Sequence, residues 1–227
     1  VYFFGQVQVG GIFFEKMYFY QDTLYENSIK KFDIQLISKN ENLRFIRYQA
    51  PEYIHVDLPS RYLQKEKRYF VPLYVSAERI KKPGHFQTIV KLYTNEPNDN
   101  EKILYVSGIV RPVPKKYTPQ ELANLPQIQV KPIQNNIGQV KKGTILPVSF
   151  TVENIGNAPL RILNVKTECG CTHWQTDTTA ISPKKTRNLI FQVDTHDLNF
   201  IHSEIWLWTN AANTPELKLF IKGQIKE

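Results

Sequence analysis

The sequence predicts an all-β protein made of two tandem β-sandwiches, and three observations carry that prediction. The first is an internal repeat. Leu92-Tyr93-Thr94-Asn95 is echoed by Leu207-Trp208-Thr209-Asn210, and thirteen residues after each Asn stands a glycine, Gly108 and Gly223. Both pairs share one offset of 115 residues (208 − 93 and 223 − 108). That period is too long for a solenoid unit and is about the length of one immunoglobulin-sized sandwich. The second is composition: 12 Tyr, 13 Phe and 14 Pro against a single Met in 227 residues suit short strands and turns. The third is strict alternation of apolar and polar residues, broken by turn signals about every 8–12 residues.

The second copy shows the alternation best. Ile128 and Val130 form one inward pair, and Lys141-Lys142-Gly143 makes a turn. Val148, Phe150 and Val152 face one side, and Asn154-Ile155-Gly156-Asn157-Ala158-Pro159 must break the strand. Leu160 to Val165 begins the strand that runs toward the cysteines. Ser182-Pro183-Lys184-Lys185 turns into Leu189, Phe191 and Val193. After a polar loop at 194–199, Ser203, Ile205 and Leu207 face inward, as do Leu217, Leu219 and Ile221 on the last strand. The first copy follows with small slips. Phe32, Ile34 and Leu36 lead in, Leu43-Arg44-Phe45 matches Leu160-Arg161-Ile162, and Val71, Leu73 and Val75 match the 189–193 row.

These patterns divide the chain into 1–14, a connector or leading strand; 15–111, the first sandwich; 112–126, a linker; and 127–227, the second sandwich. The linker carries four prolines. Thr118 is placed to cap one helical turn, with Pro119 at its first position and Glu121 completing a capping box.

The chain has a formal charge of +8, but its lysine pairs fall mostly at turns and decorate loops rather than one stripe. No nucleic-acid partner is expected. No apolar run is long enough for a transmembrane helix. Nucleophile elbows, phosphate loops and His-Glu-x-x-His are absent, and the five histidines are dispersed, so neither catalytic residues nor a cofactor are expected. Asp194 and His196 share one loop and read as a turn.

The run at 135–143, the run at 150–162, Cys169-Gly170-Cys171-Thr172 and Thr209-Asn210 follow one another in an order that resembles domain-of-unknown-function family number 1573, common in Bacteroidetes. Asn135-Asn136-Ile137-Gly138-Gln139-Val140-Lys141-Lys142-Gly143 is similar to its opening, x-DFG-x-V-x-x-G. The 150–162 run resembles its F-x-N-x-G-x-x-PL-x-I segment. Cys169-Gly170-Cys171-Thr172 matches its CGCT and Thr209-Asn210 its TN. The linker at 117–124 is similar to the LTPEELAN connector of multidomain members. The first copy resembles a diverged version, with Tyr48-Gln49-Ala50-Pro51-Glu52-Tyr53 where the second has cysteines. The resemblance implies an immunoglobulin-like fold akin to hydin-type and major-sperm-protein-type modules. It also implies a periplasmic or outer-membrane-associated location, often as a lipoprotein, and no catalytic mechanism.

Two sets of residues could carry function. Cys169, Cys171 and His173 stand at i, i+2 and i+4, where a regular strand would put them on one face about 7 Å apart per step, too far for two sulfurs to share a metal. They are weak candidates for a metal, and no metal site is expected. A Cys169–Cys171 disulfide would close a very small ring worth on the order of 1–2 kcal/mol before strain. The alternatives are small side chains packed at the sandwich end and a redox or metal-handling pair. The second set is an outward row. If Ile205 and Leu207 point in, then Trp206 and Trp208 point out, with Lys218, Phe220 and Lys222 beside them. Such a surface would meet a protein or glycan partner of the cell envelope. The preferred expectation is thus a non-enzymatic structural or binding module, with an upstream domain of the same chain a further possible partner.

Overall fold

In a computed structural model of the chain, which describes residues 10–176 and 179–226, the main division between two compact units falls between Val113 and Pro114. Each unit is a β-sandwich. The first comprises β1 (Ile12–Phe14), β2 (Tyr18–Tyr25), β3 (Ile29–Ser38), β4 (Phe45–Gln49), β5 (Ile54–Val56), β6 (Arg68–Ser76), β7 (Gly84–Thr94) and β8 (Glu101–Arg111). They form two four-stranded sheets ordered β1-β3-β6-β5 and β2-β8-β7-β4. Helix α1 (Pro119–Ala123) follows. The second sandwich comprises β9 (Ile128–Lys131), β10 (Gln134–Lys141), β11 (Ile145–Asn154), β12 (Ile162–Thr167), β13 (Thr172–Trp174), β14 (Thr186–Asp194), β15 (Phe200–Thr209) and β16 (Glu216–Lys226). Its sheets are ordered β10-β16-β15-β12 and β13-β14-β11-β9.

The alternation in the sequence is the alternation of the cores. Ile34, Leu36, Val71, Leu73, Val75, Val90 and Leu92 are buried in the first sandwich, and Val148, Phe150, Val152, Leu189, Phe191 and Val193 in the second. Phe150 and Phe191 meet edge to face at 5.9 Å, and Trp174 packs on Phe191 at 5.1 Å, an arrangement that places the positive ring edge on the negative face. Of the opening segment 1–14, Ile12–Phe14 forms β1, hydrogen-bonded to β3; residues 1–9 lie outside the described residues.

The repeat has a structural cause. β8 and β16 keep the same bounds at the 115-residue offset, and each carries a parallel edge strand, β2 or β10, whose register slips part-way along. Gly108 and Gly223 lie at those slips. A Cβ on Gly108 would come 2.7 Å from the Gln21 carbonyl, and one on Gly223 2.8 Å from Ile137. The close approach of the bulged strand therefore demands glycine. Both glycines sit inside their strands, which run on to Arg111 and Lys226.

The repeated asparagine is a clasp. Asn95 Oδ1 accepts the Arg44 N–H at 2.8 Å while its Nδ2 donates to the Asn42 carbonyl at 2.8 Å. Asn210 does the same with Arg161 N–H at 2.7 Å and the Pro159 carbonyl at 3.1 Å. Each clasp pins the segment leading into β4 or β12. In the Asn-x-Gly segment of the second copy, buried Asn154 donates to the carbonyls of Ala158 and Ile181 and accepts from the Gly156 N–H. A Cβ on Gly156 would fall 2.2 Å from the Leu125 carbonyl, so the end of the linker can pass only over glycine. The linker itself forms the expected capped turn: the Thr118 hydroxyl accepts the Glu121 N–H, and Glu121 accepts the Thr118 N–H at 2.8 Å.

Candidate functional site

The outward face of the β10-β16-β15-β12 sheet is the most differentiated surface of the second sandwich. Antiparallel pairing of β15 with β16 sets its rows: Trp208 opposite Glu216, Trp206 opposite Lys218, Glu204 opposite Phe220, His202 opposite Lys222 and Phe200 opposite Gln224. Directly opposed side chains on one face interact, so these rows are the units of the site. Trp206 stacks on Trp208 with centroids 5.8 Å apart and planes within 11°. The Lys218 ammonium lies 4.0 Å from the Trp206 centroid and also pairs with Glu204 at 3.1 Å. The two indole N–H groups donate to Glu168 and Glu216, each at 3.1 Å. Each aromatic therefore has a charged partner, which fixes its orientation.

Trp206 and Phe220 are half-buried, and Lys218 and Lys222 are exposed, as the alternation predicts. Trp208 is a correction: it is fully buried, not exposed. It has a stacked neighbour on its own strand, an acidic hydrogen-bond partner on β16, and Asn164 opposite it on β12. Only the outer end of the tryptophan row meets solvent. Sequence reasoning also missed Phe200 and His202, which continue the outward row. Phe200 is 67% exposed, and both residues line a cleft of about 550 Å³ with Asn136, Gln139, Lys222 and Gln224. The signal was present, since Phe200, His202, Glu204 and Trp206 alternate without a break, but the polar 194–199 loop had obscured where β15 starts.

The cysteines are also relocated. They do not share a strand face with His173. Cys169-Gly170-Cys171 forms a turn between β12 and β13, with the two cysteine Cα atoms 5.1 Å apart and the sulfurs joined in a disulfide. His173 alone lies on β13, exposed and opposite Gln192. Both sulfurs are spent in the bridge, and among the described residues no three His, Cys, Asp or Glu side chains converge as a metal site would need. Nearby, the His196 N–H and imidazole Nδ1 both reach Asp194 Oδ1, at 3.0 and 2.6 Å, making the expected turn. The His196 backbone N–H, then its side chain, hold the Asp194 carboxyl below its usual range.

The first sandwich offers a different cavity, about 690 Å³, lined by Phe14, Met17, Leu43 and Ile103 with Glu96 and Lys102. Its buried charges are engaged with each other: Lys102 pairs with Glu96 at 3.1 Å and with Asp99, while Glu96 also accepts from Gly11 N–H and the Thr94 hydroxyl. No helix among the described residues is long and apolar enough to cross a membrane.

Two stacked sheets with this strand order and a buried apolar interior define a tandem immunoglobulin-like β-sandwich protein. Residues 128–225, which span the second sandwich, match the model of the family described as protein of unknown function (DUF1573). The chain is similar over 95% of its length to all of a solved protein of unknown function from Porphyromonas gingivalis W83, at 18% identity and a TM-score of 0.65. It also shows weaker likeness to the ASH/PapD-like domain 7 of human CEP192 (8% identity, 51% of this chain and 92% of that one, TM-score 0.41). A third likeness is to the periplasmic chaperone SfaE (10% identity, 95% and 100% covered, TM-score 0.33). No curated protein matches the sequence.

Proposed function

We propose that the chain is a non-enzymatic binding module of the cell envelope, and that the outward β15/β16 face of its second sandwich receives a protein partner. The observation that carries this reading is the half-buried Trp206, oriented by Trp208, Glu168 and Lys218 and continuous with Phe220, Lys222 and the Phe200/His202 cleft. An aromatic and cationic strip on an ordered sheet is the composition that protein interfaces favour. Between the two partner chemistries, a glycan would stack on an open ring face. The Trp206 ring is already engaged by Trp208 and Lys218, which favours a protein. The disulfide supports an envelope location, because such bonds persist in oxidising compartments.

The test is affinity capture from a cell-envelope extract with wild-type protein and with Trp206→Ala/Lys222→Glu, each shown folded by circular dichroism. At least about tenfold weaker capture of a specific partner by the variant is expected, as for loss of an aromatic anchor. Undiminished capture by the folded variant would remove this face from the proposal. Wild-type binding on a glycan array, lost in Trp206→Ala, would replace the protein partner with a glycan.

A further inference from the structure

We infer that the Cys169–Cys171 disulfide is a thiol–disulfide exchange site, with a thiol or dithiol as its substrate. The first sandwich shows what the fold itself requires at this corner. In the second sandwich, where the chain passes from one sheet to the other, Thr172 N–H donates to the Cys169 carbonyl at 3.2 Å and Asp194 N–H to the Cys171 carbonyl at 2.8 Å. At an offset of 118 (172 − 54 and 194 − 76), the first sandwich makes the same two bonds: Ile54 N–H to the Pro51 carbonyl and Ser76 N–H to the Tyr53 carbonyl, both at 2.9 Å. That corner contains no cysteine. Backbone hydrogen bonds therefore close this turn unaided, and a bridge between residues two apart restricts the unfolded chain very little. The covalent bond is surplus to the architecture.

Its setting suits chemistry instead. Cys169 and Cys171 are partly exposed, Gly170 between them is exposed, and a Cβ built on Gly170 would meet nothing within 4 Å. An incoming thiolate thus has an open flank. The two sulfurs are not equivalent. The Cys171 backbone N–H donates to Cys169 Sγ at 3.2 Å, whereas among the described residues Cys171 Sγ meets the Thr172 hydroxyl at 3.6 Å, which can donate or accept. A fixed N–H donor stabilises charge arriving on Cys169, so Cys169 is the leaving sulfur. The substrate thiolate attacks Cys171 Sγ and forms a mixed disulfide. The Cys169–Cys171 bond breaks with its electron pair going to Cys169, which then takes a proton from solvent. A second substrate thiolate attacks the substrate sulfur of the mixed disulfide and releases Cys171, which is protonated in turn. Two substrate thiols are oxidised to one disulfide and the protein bridge is reduced to two thiols; the reverse sequence oxidises the protein.

The experiment equilibrates folded protein with mixtures of glutathione and glutathione disulfide, quenches with acid, alkylates, and reads the products by mass spectrometry alongside near-ultraviolet circular dichroism. The pair should cycle fully without denaturant and with an unchanged dichroism spectrum. Cys169→Ser should accumulate a glutathione mixed disulfide at Cys171. The lone Cys169 thiol of Cys171→Ser should alkylate about tenfold faster at neutral pH than the lone Cys171 thiol of Cys169→Ser. Reduction that occurs only with denaturant, or that abolishes the near-ultraviolet spectrum, would make the bridge a structural staple and overturn the inference. Equal or reversed alkylation rates would overturn Cys169 as the leaving sulfur.

Discussion

The two sandwiches answer the same packing problem with opposite chemistry at one corresponding pair of positions. At the 115-residue offset, Glu96 and Lys102 of the first correspond to Ala211 and Leu217 of the second (211 − 96 and 217 − 102). In the first they form a buried ion pair, with side chains 6% and 7% exposed. In the second, Ala211 is buried and Leu217 packs against the core. The fold therefore does not need charge at this place. The pair costs desolvation, which its Coulomb attraction and its bonds from Gly11 and Thr94 offset only while every member is present. The Gly11 N–H is among them, so the same carboxylate ties down the segment that leads into β1. One half spent these positions on anchoring its first strand, while the other spent them on apolar contact.

The largest expected effect breaks that comparison directly. Lys102→Leu alone should cost about 3–5 kcal/mol, because it leaves the buried Glu96 carboxylate without its counter-charge. Glu96→Ala should cost less, because Lys102 keeps its pairing with Asp99. The double variant, which installs the second copy's residues, should recover most of the Lys102→Leu loss. The readouts separate cleanly, since all three tryptophans, Trp174, Trp206 and Trp208, lie in the second sandwich. Denaturant titration followed by far-ultraviolet circular dichroism should show the first sandwich shifting, while the tryptophan-fluorescence transition stays in place. A double variant as unstable as Lys102→Leu would mean that the ion pair is not interchangeable with its apolar counterpart.

A smaller effect tests where the halves agree. Asn95→Ala and Asn210→Ala each remove one accepted and one donated backbone hydrogen bond at a solvent-exposed clasp. Freed groups can turn to water, so each should cost about 1–2 kcal/mol, and by similar amounts. Fluorescence should register the second and dichroism the first. Markedly unequal losses would show that the clasp has different weight in the two copies.

How much of this could be read from the chain follows from the range of the interactions involved. The inward rows were legible because alternation is a local signal, and they came out buried at Ile34, Leu73, Phe150 and Leu189. The capping box at Thr118 and Glu121 was legible for the same reason. The repeat was visible, but its cause was not: Gly108 and Gly223 are explained only by the parallel strands that slip past them, and pairing partners dozens of residues away leave no local trace. Trp208 was misplaced because alternation tells inward from outward, while burial of an outward side chain depends on what its neighbours cover. The cysteine turn was not legible, because the crossing between sheets is a tertiary event. The ion pair at Glu96 and Lys102 went unnoticed, since Lys102 sits in a row whose later members, Leu104 and Val106, are apolar.

The smallest effect concerns the linker helix α1, an element with no twin. The Glu121 carboxylate is held below its ordinary range, first by the Thr118 backbone N–H and then by the Thr118 hydroxyl. A folded-state value below the unfolded one means that the charged form is favoured in the capped turn. That contribution is fully present above the ordinary carboxylate value of about 4.5 and is lost as pH falls through the lower, folded value. Acidification should thus loosen α1 before either sandwich responds. Amide exchange at Thr118 and the carboxyl shift of Glu121 should report a midpoint below that of a free glutamate. Glu121→Gln keeps an oxygen acceptor at the third helical position, so it should preserve the turn at neutral pH and abolish its acid sensitivity. A Glu121 midpoint at or above the ordinary value would show that the box does not form in solution, and with it the linker would lose its only capped turn among the described residues.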